Sequence, residues 1–249
     1  MRGFSLVELS IVLVILGLLV GGILAGRSLI RASEIRQITT QQRQFVTAAQ
    51  AFKDKYFAVP GDFNQATQFW GRVGGGNGNC SNDLTDSDTG LPTCNGSGNG
   101  RISGSEMFRF WEHLATAGLI EGSFTGVAGP LGPSHHTPGS NCPAATVGGG
   151  WTAVDRDITM TSQFFVIPYG NILQVGTATG SGTLFEGIIR PEEAWNIDTK
   201  MDDGRPAYGK VIASRHGNCT DSADNIDLDS NYHLTHATAL CALFFRRYF

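Results

Sequence analysis

Apolar residues are spread very unevenly along this chain. From Leu9 to Gly26, eighteen residues, no side chain is charged and only Ser10 carries a hydroxyl. A run of that length suffices for a membrane-inserted helix. Arg2, Gly3 and Phe4 precede it, and Glu8 sits at its start. An ionisable group there is costly to desolvate and points to function. Beyond Arg27 the pattern becomes a stripe on one helical face: Ile35, Ile38, Gln42, Phe45, Ala49, Phe52 and Tyr56, spaced alternately by three and four. No proline interrupts the stripe before Pro60, and Pro60-Gly61 is a stop signal. One helix is therefore predicted from Phe4 to about Phe57, on the order of 80 Å long at ~1.5 Å per residue. Its first half suits lipid and its second half suits a soluble head.

The remaining chain, 58–249, has room for one domain with elaborate loops. Glycine clusters at 74–76, 96–104 and 148–150 predict long surface loops. A helix is predicted over 106–120, with Met107, Phe110 or Trp111, Leu114, and Ala117 or Gly118 on its buried face and Gly118 at its exit. Pro191 followed by Glu192 and Glu193 suits a second helix start. Strands are predicted at 162–169, 171–176, 183–189, 209–213 and 240–245. The sum is an α+β fold in which a long N-terminal α-helix packs on an antiparallel β-sheet head.

The segment Gly3-Phe4-Ser5-Leu6-Val7-Glu8-Leu9 resembles the prepilin cleavage and methylation motif of type IV pilins and type II secretion pseudopilins. The resemblance is strong over about the first 30 residues. It implies a pilin-like roll, a leader peptide at 1–3, a membrane and assembly helix at 4–57, and an extracytoplasmic head. It implies cleavage between Gly3 and Phe4 by a prepilin peptidase and methylation of the new Phe4 amine. Glu8, fifth after the cut, matches the family's glutamate. By the same resemblance it would pair with the Phe4 amine of a neighbouring subunit and set the stagger of packed helices. Gly17 matches a glycine common in pilins, whereas Ala25 stands where many pilins carry a proline. Gly17-xxx-Gly21 and Gly22-xxx-Gly26 have the spacing of close helix packing; the alternative is that the same glycines let the segment unwind locally on assembly. Further in, 52–62, 117–122 and 194–204 are similar to a group of large bacterial prepilin-type proteins. The competing reading of the N-terminus is a cleaved signal peptide ending near Gly22, Ala25 and Gly26, or a simple anchor.

Candidate chemistry is sparse. Asn95-Gly96-Ser97-Gly98-Asn99-Gly100-Arg101-Ile102-Ser103-Gly104-Ser105-Glu106 has the rhythm of an EF-hand loop, with Asn95, Ser97, Asn99, Arg101, Ser103 and Glu106 at the ligand positions. With Glu106 as the sole acid, a weak Ca2+ site is the expectation. The alternative is a Gly-rich loop whose Glu106 favours a helix N-terminus. The acidic stretch 221–229 reads as a solvated loop, and Asp202-Asp203-Gly204 reads as a turn. Five cysteines in an extracytoplasmic head suggest disulfides. Cys80 with Cys94 and Cys219 with Cys241 flank polar loops, the latter resembling the disulfide-bounded region of many pilins. Cys142 is either a buried free thiol or displaces a member of one of these pairs. His135-His136 and the pair His233 and His236 lack further metal ligands at recognisable spacing.

The net charge of −4 and the lack of a basic patch interleaved with aromatics do not indicate nucleic-acid binding. No nucleophile elbow, metalloprotease motif or P-loop occurs, so a non-enzymatic role is expected. The expected function is that of a structural subunit of a type IV pilus-like filament. Its partners would be other subunits, the peptidase, an assembly platform and motor, and the inner membrane before assembly. The alternatives are a pseudopilin of a periplasmic filament, or an anchored binding domain that never polymerises.

Overall fold

The computed structural model describes residues 5–71, 93–156, 163–179, 182–184, 186–238 and 241–249. Helix α1 spans Leu6–Tyr56 without a break. It ends where Phe57 turns left-handed (φ 53°) and its amide bonds back to Lys53. Ile38, Gln42, Phe45, Ala49 and Phe52 are buried, and Ile35 and Tyr56 pack at the margins, so the predicted stripe is the docking face. The short helix α2 (Ala66–Trp70) follows, then α3 (Glu106–Thr116), β1 (Gly150–Arg156), β2 (Gly170–Gly176), α4 (Pro191–Met201), β3 (Val211–Ala213) and β4 (Leu243–Arg246).

The four strands form one antiparallel sheet in the order β1-β2-β4-β3. Leu173 of β2 and Val211 of β3 both face Phe245 of β4 in register. Side chains alternate between faces along each strand. Trp151, Ala153, Leu173, Val175, Val211, Leu243 and Phe245 join the core shared with α1 and α3. Val154, Ile172, Ile212 and Phe244 point the other way, into a second core with Phe164, Phe165 and Tyr169. Phe45 ties the layers together, meeting Trp111 of α3 edge-on at 4.9 Å and Trp151 of β1 at 5.5 Å.

Four sequence expectations are corrected. Residues 163–169 form no strand; they fold into an irregular plug under the second face, with the Val166 amide bonding to the Asn225 carbonyl. Within the predicted strand 183–189, the described residues contribute single bridges, Glu186 with Thr177 and Ile189 with Cys241. Strand β1 occupies a stretch whose opening glycines read as loop. Helix α3 also exceeds its predicted single buried face, since Phe108, Arg109, Phe110, Trp111, Glu112, His113 and Leu114 are all buried. Buried His113 accepts from the Gly61 amide at Nδ1 (3.0 Å), and burial lowers its pKa to about 3.

Candidate functional site

Helix α1 starts in a capping box. Ser5 is the N-cap, its hydroxyl accepts from the Val7 amide (3.3 Å), and the Glu8 carboxylate accepts from the Ser5 amide (2.8 Å). A carboxylate in this position meets the positive end of the helix dipole. Gly3 and Phe4 lie outside the described residues.

Every residue from Leu6 to Leu24 is exposed. This is the one helix, among the described residues, long and apolar enough to cross a membrane, with a mean hydropathy of 2.7 in its most apolar window. In the single subunit the helix runs unbroken through Gly17, Gly21, Gly22 and Gly26. Among the described residues, a Cβ added at any of these four would meet no atom beyond the helix's own adjacent backbone within 4 Å. Nothing in the subunit itself therefore requires glycine at these positions.

The exposed half joins the head through one ion-pair cluster. The Arg31 guanidinium forks onto Glu193 at the start of α4, with Nε–Oε1 and Nη2–Oε2 both at 2.8 Å, and also reaches Glu34 at 3.2 Å. Glu193 further accepts from the Arg190 amide (2.9 Å) and side chain (3.1 Å). Burial alone would raise the Glu193 carboxyl; these hydrogen bonds outweigh it and hold it at about 2. Lower down, Trp151 Nε1 donates to Gln41 (3.0 Å), and Gln50 donates to the Tyr248 carbonyl (3.0 Å).

The Gly-rich loop gathers amides where the EF-hand rhythm suggested oxygens. The Asp62 carboxylate sits in the loop and accepts from the amides of Gly98 (2.6 Å), Asn99 (3.1 Å) and Gly100 (2.6 Å) and from the Ser97 hydroxyl (2.9 Å). This is a backbone nest that receives an anion. Glu106 accepts from the Ser97 and Ser103 amides (2.8 and 2.9 Å). Asn95 accepts from the Thr67 amide, Asn99 from the Arg101 amide, and Arg101 pairs with Asp155 at 2.6 Å. Gly96 is obligatory, because its Cβ would lie 2.4 Å from the Asp62 backbone.

The acidic group capable of coordinating a cation lies elsewhere, at the end of α4. Asp198, Asp202 and Asp203 each bring one carboxylate oxygen within 4.8 Å of the others. Asp198 Oδ2 accepts from the Tyr232 hydroxyl at 2.9 Å. Burial pushes the Asp198 carboxyl up to about 7, and the charges of Asp203 and Asp202 add to the rise against the lowering by the Tyr232 hydroxyl and the Gly204 amide.

Cys219 and Cys241 form the expected disulfide, with Cα atoms 5.0 Å apart. Cys94 is disulfide-bonded, while Cys80 lies outside the described residues. Cys142 is a buried free thiol whose pKa burial pushes up to about 12. His136 bonds to Thr152 (2.7 Å), and His135 accepts from the Leu131 amide, so the pair serves loop structure. His233 and His236 touch edge to face at 4.9 Å.

Asp62, Glu193 and Asp198 were not identified by sequence reasoning. The spacing of Asp198 and Asp202, four apart on one helical face, was a usable signal. The partners of Asp62 and Glu193 lie far away along the chain and gave none.

Scans against protein-family models, curated proteins and solved structures find no match to this chain. The architecture itself is a long apolar N-terminal helix packed on a small antiparallel sheet, a fold type compatible with that of pilin-like proteins.

Proposed function

We propose that the chain is a structural subunit of a type IV pilus-like filament. A prepilin peptidase would cut between Gly3 and Phe4 and methylate Phe4, and the exposed half of α1 would then pack with its neighbours in the filament core. The observation that carries this reading is the surface of α1 from Leu6 to Gly26: apolar, outside the head, and containing four glycines whose Cβ positions face open space. Each glycine costs a helix about 1 kcal/mol relative to alanine, so a gain elsewhere is expected to offset four of them. Close approach of a second helix supplies one.

Their arrangement supports a polymer. At about 100° per residue, Gly22 and Gly26 fall within about 40° of the Glu8 face, and Gly17 and Gly21 fall within about 40° of the opposite face. Two different faces, each suited to a neighbour, fit head-to-tail contacts, which generate open filaments when the rotation does not close. Before assembly the subunit would sit in the inner membrane with its head outside the cytoplasm, where a platform and motor complex would extract it. In that state the Ser5 amide stabilises Glu8; in the filament the neighbour's Phe4 amine replaces it as partner.

The test is Glu8→Ala in the native cells. Membrane insertion is expected to stay intact while incorporation into filaments is lost. Normal incorporation of the variant would refute the pairing and, with it, the assembly mechanism.

A further inference from the structure

Three aspartates meet where α4 gives way to the turn leading into β3. Each brings one oxygen within 4.8 Å of the other two. Two oxygens bound to a common calcium at roughly 2.3–2.6 Å can be at most about 5 Å apart. Among the described residues none of the three forms an ion pair. Exposed acidic groups often sit together without a ligand, so proximity alone carries little.

The decisive feature is Asp198. The residue is fully buried (0% exposed), and among the described residues its Oδ1 has no well-formed hydrogen bond, although the Gly204 amide lies near enough to the carboxylate to favour its charged form. Its other oxygen is occupied by the hydroxyl of Tyr232. A buried carboxylate oxygen without a donor is costly unless a cation or a proton satisfies it. The other two carboxylates are held in place by backbone amides through one oxygen each. Asp202 Oδ2 accepts from Lys210 and Val211 (the latter at 3.2 Å), and Asp203 Oδ1 accepts from Arg205 (2.9 Å). Asp202 Oδ1 and Asp203 Oδ2 take no part in those bonds.

We infer that Asp198, Asp202 and Asp203 bind a divalent calcium ion, with water completing its shell. The donor set is all hard oxygen, on a turn with freedom to adjust, which suits calcium better than the small, strictly octahedral magnesium ion. The ion joins three parts of the head: the end of α4, the turn into β3, and, through Tyr232, the loop closed by Cys219–Cys241. The site stands apart from the assembly helix, so it holds or fails independently of the filament reading.

Terbium(III) is the probe, with the full chain in detergent after chelator treatment. Tyr232 touches Asp198, and the Trp195 indole borders the turn at Gly204, so both can sensitise a bound lanthanide. Saturable terbium luminescence is expected, displaced by calcium with a midpoint on the order of 10⁻⁵–10⁻³ M and by magnesium only at about tenfold higher concentration or more. Asp203→Asn is expected to weaken terbium and calcium binding by about tenfold or more, because the charge count at the site falls. Asp203→Ser, which also keeps an acceptor near the Arg205 amide, guards against a folding defect in the first variant. Asp227→Asn, in the separate acidic loop, is expected to leave binding unchanged. Absence of sensitised luminescence, wild-type affinity in either folded Asp203 variant, or an equal loss in Asp227→Asn would overturn the site.

Discussion

Replacing Glu193 by Gln tests how the exposed helix is held to the head. The substitution keeps the size of the side chain and one acceptor. It removes the charge that the Arg31 fork engages through two 2.8 Å bonds and that Arg190 engages through a third at 3.1 Å. Charge-assisted hydrogen bonds contribute about 1.5–3 kcal/mol each when well buried. Here the Arg31 and Arg190 side chains are 30% and 45% exposed, so solvent screens the cluster. A loss of about 1–2 kcal/mol is the expected total. Its pH dependence has a definite sign. The folded Glu193 titrates at about 2, below its ordinary value of 4.5, so its stabilisation is present above pH 4.5 and fades as pH falls toward 2. The assay is reversible urea unfolding of the detergent-solubilised full chain, wild type against Glu193→Gln, at several pH values. The difference between the two is expected to be full at pH 6–7 and to shrink steadily below about pH 4.5. A difference below about 0.3 kcal/mol at neutral pH, or one that does not shrink on acidification, would refute the reasoning.

Two further substitutions probe the packing and the Gly-rich loop. Phe45→Ala removes a buried ring wedged between Trp111 and Trp151 and is expected to cost about 3–5 kcal/mol in the same unfolding assay, whereas Leu16→Ala on the exposed half should change it by under about 0.5 kcal/mol. Comparable effects at both positions would contradict the division of α1 into an exposed half and a docking half. Asp62→Ala strips the acceptor from the amides of Gly98, Asn99 and Gly100. It is expected to destabilise the head by about 2–4 kcal/mol and to speed amide exchange at those three residues; unchanged exchange would mean that Asp62 does not order the loop.

Helix α1 was legible because its two halves carry separate, strong signals: an uncharged run and then a three-four stripe ended by Pro60-Gly61. Strands β2, β3 and β4 were legible as short apolar runs. Strand β1 was not, since Gly148-Gly149-Gly150 and the polar Thr152, Asp155 and Arg156 look like loop. What makes it a strand is its register against β2 and the cores on its two faces, and both come from distant parts of the chain. The plug at 163–169 shows the converse. Its Phe164, Phe165 and Ile167 have strand composition, yet they are buried as an irregular segment whose Val166 amide bonds to Asn225. Local composition reports burial there, and cannot report the partner. The EF-hand rhythm misled for a related reason. Glycines that permit close approach of a cation are the same glycines that let three amides close on Asp62, a residue more than thirty positions upstream. At the end of α4, the disulfide loop supplies Tyr232 to Asp198 from 34 residues away, a contact that no local pattern foretells.

The central claim is that the N-terminal helix is processed and then polymerises. N-terminal peptide mass spectrometry on sheared surface filaments and on membranes from the native cells tests it most directly. The account predicts a chain that begins at methylated Phe4 in the filament fraction. The same processed chain confined to the membrane fraction would point to a periplasmic pseudopilus or a rare subunit instead. An intact Met1 in both fractions, or a cut near Gly26, would contradict the account.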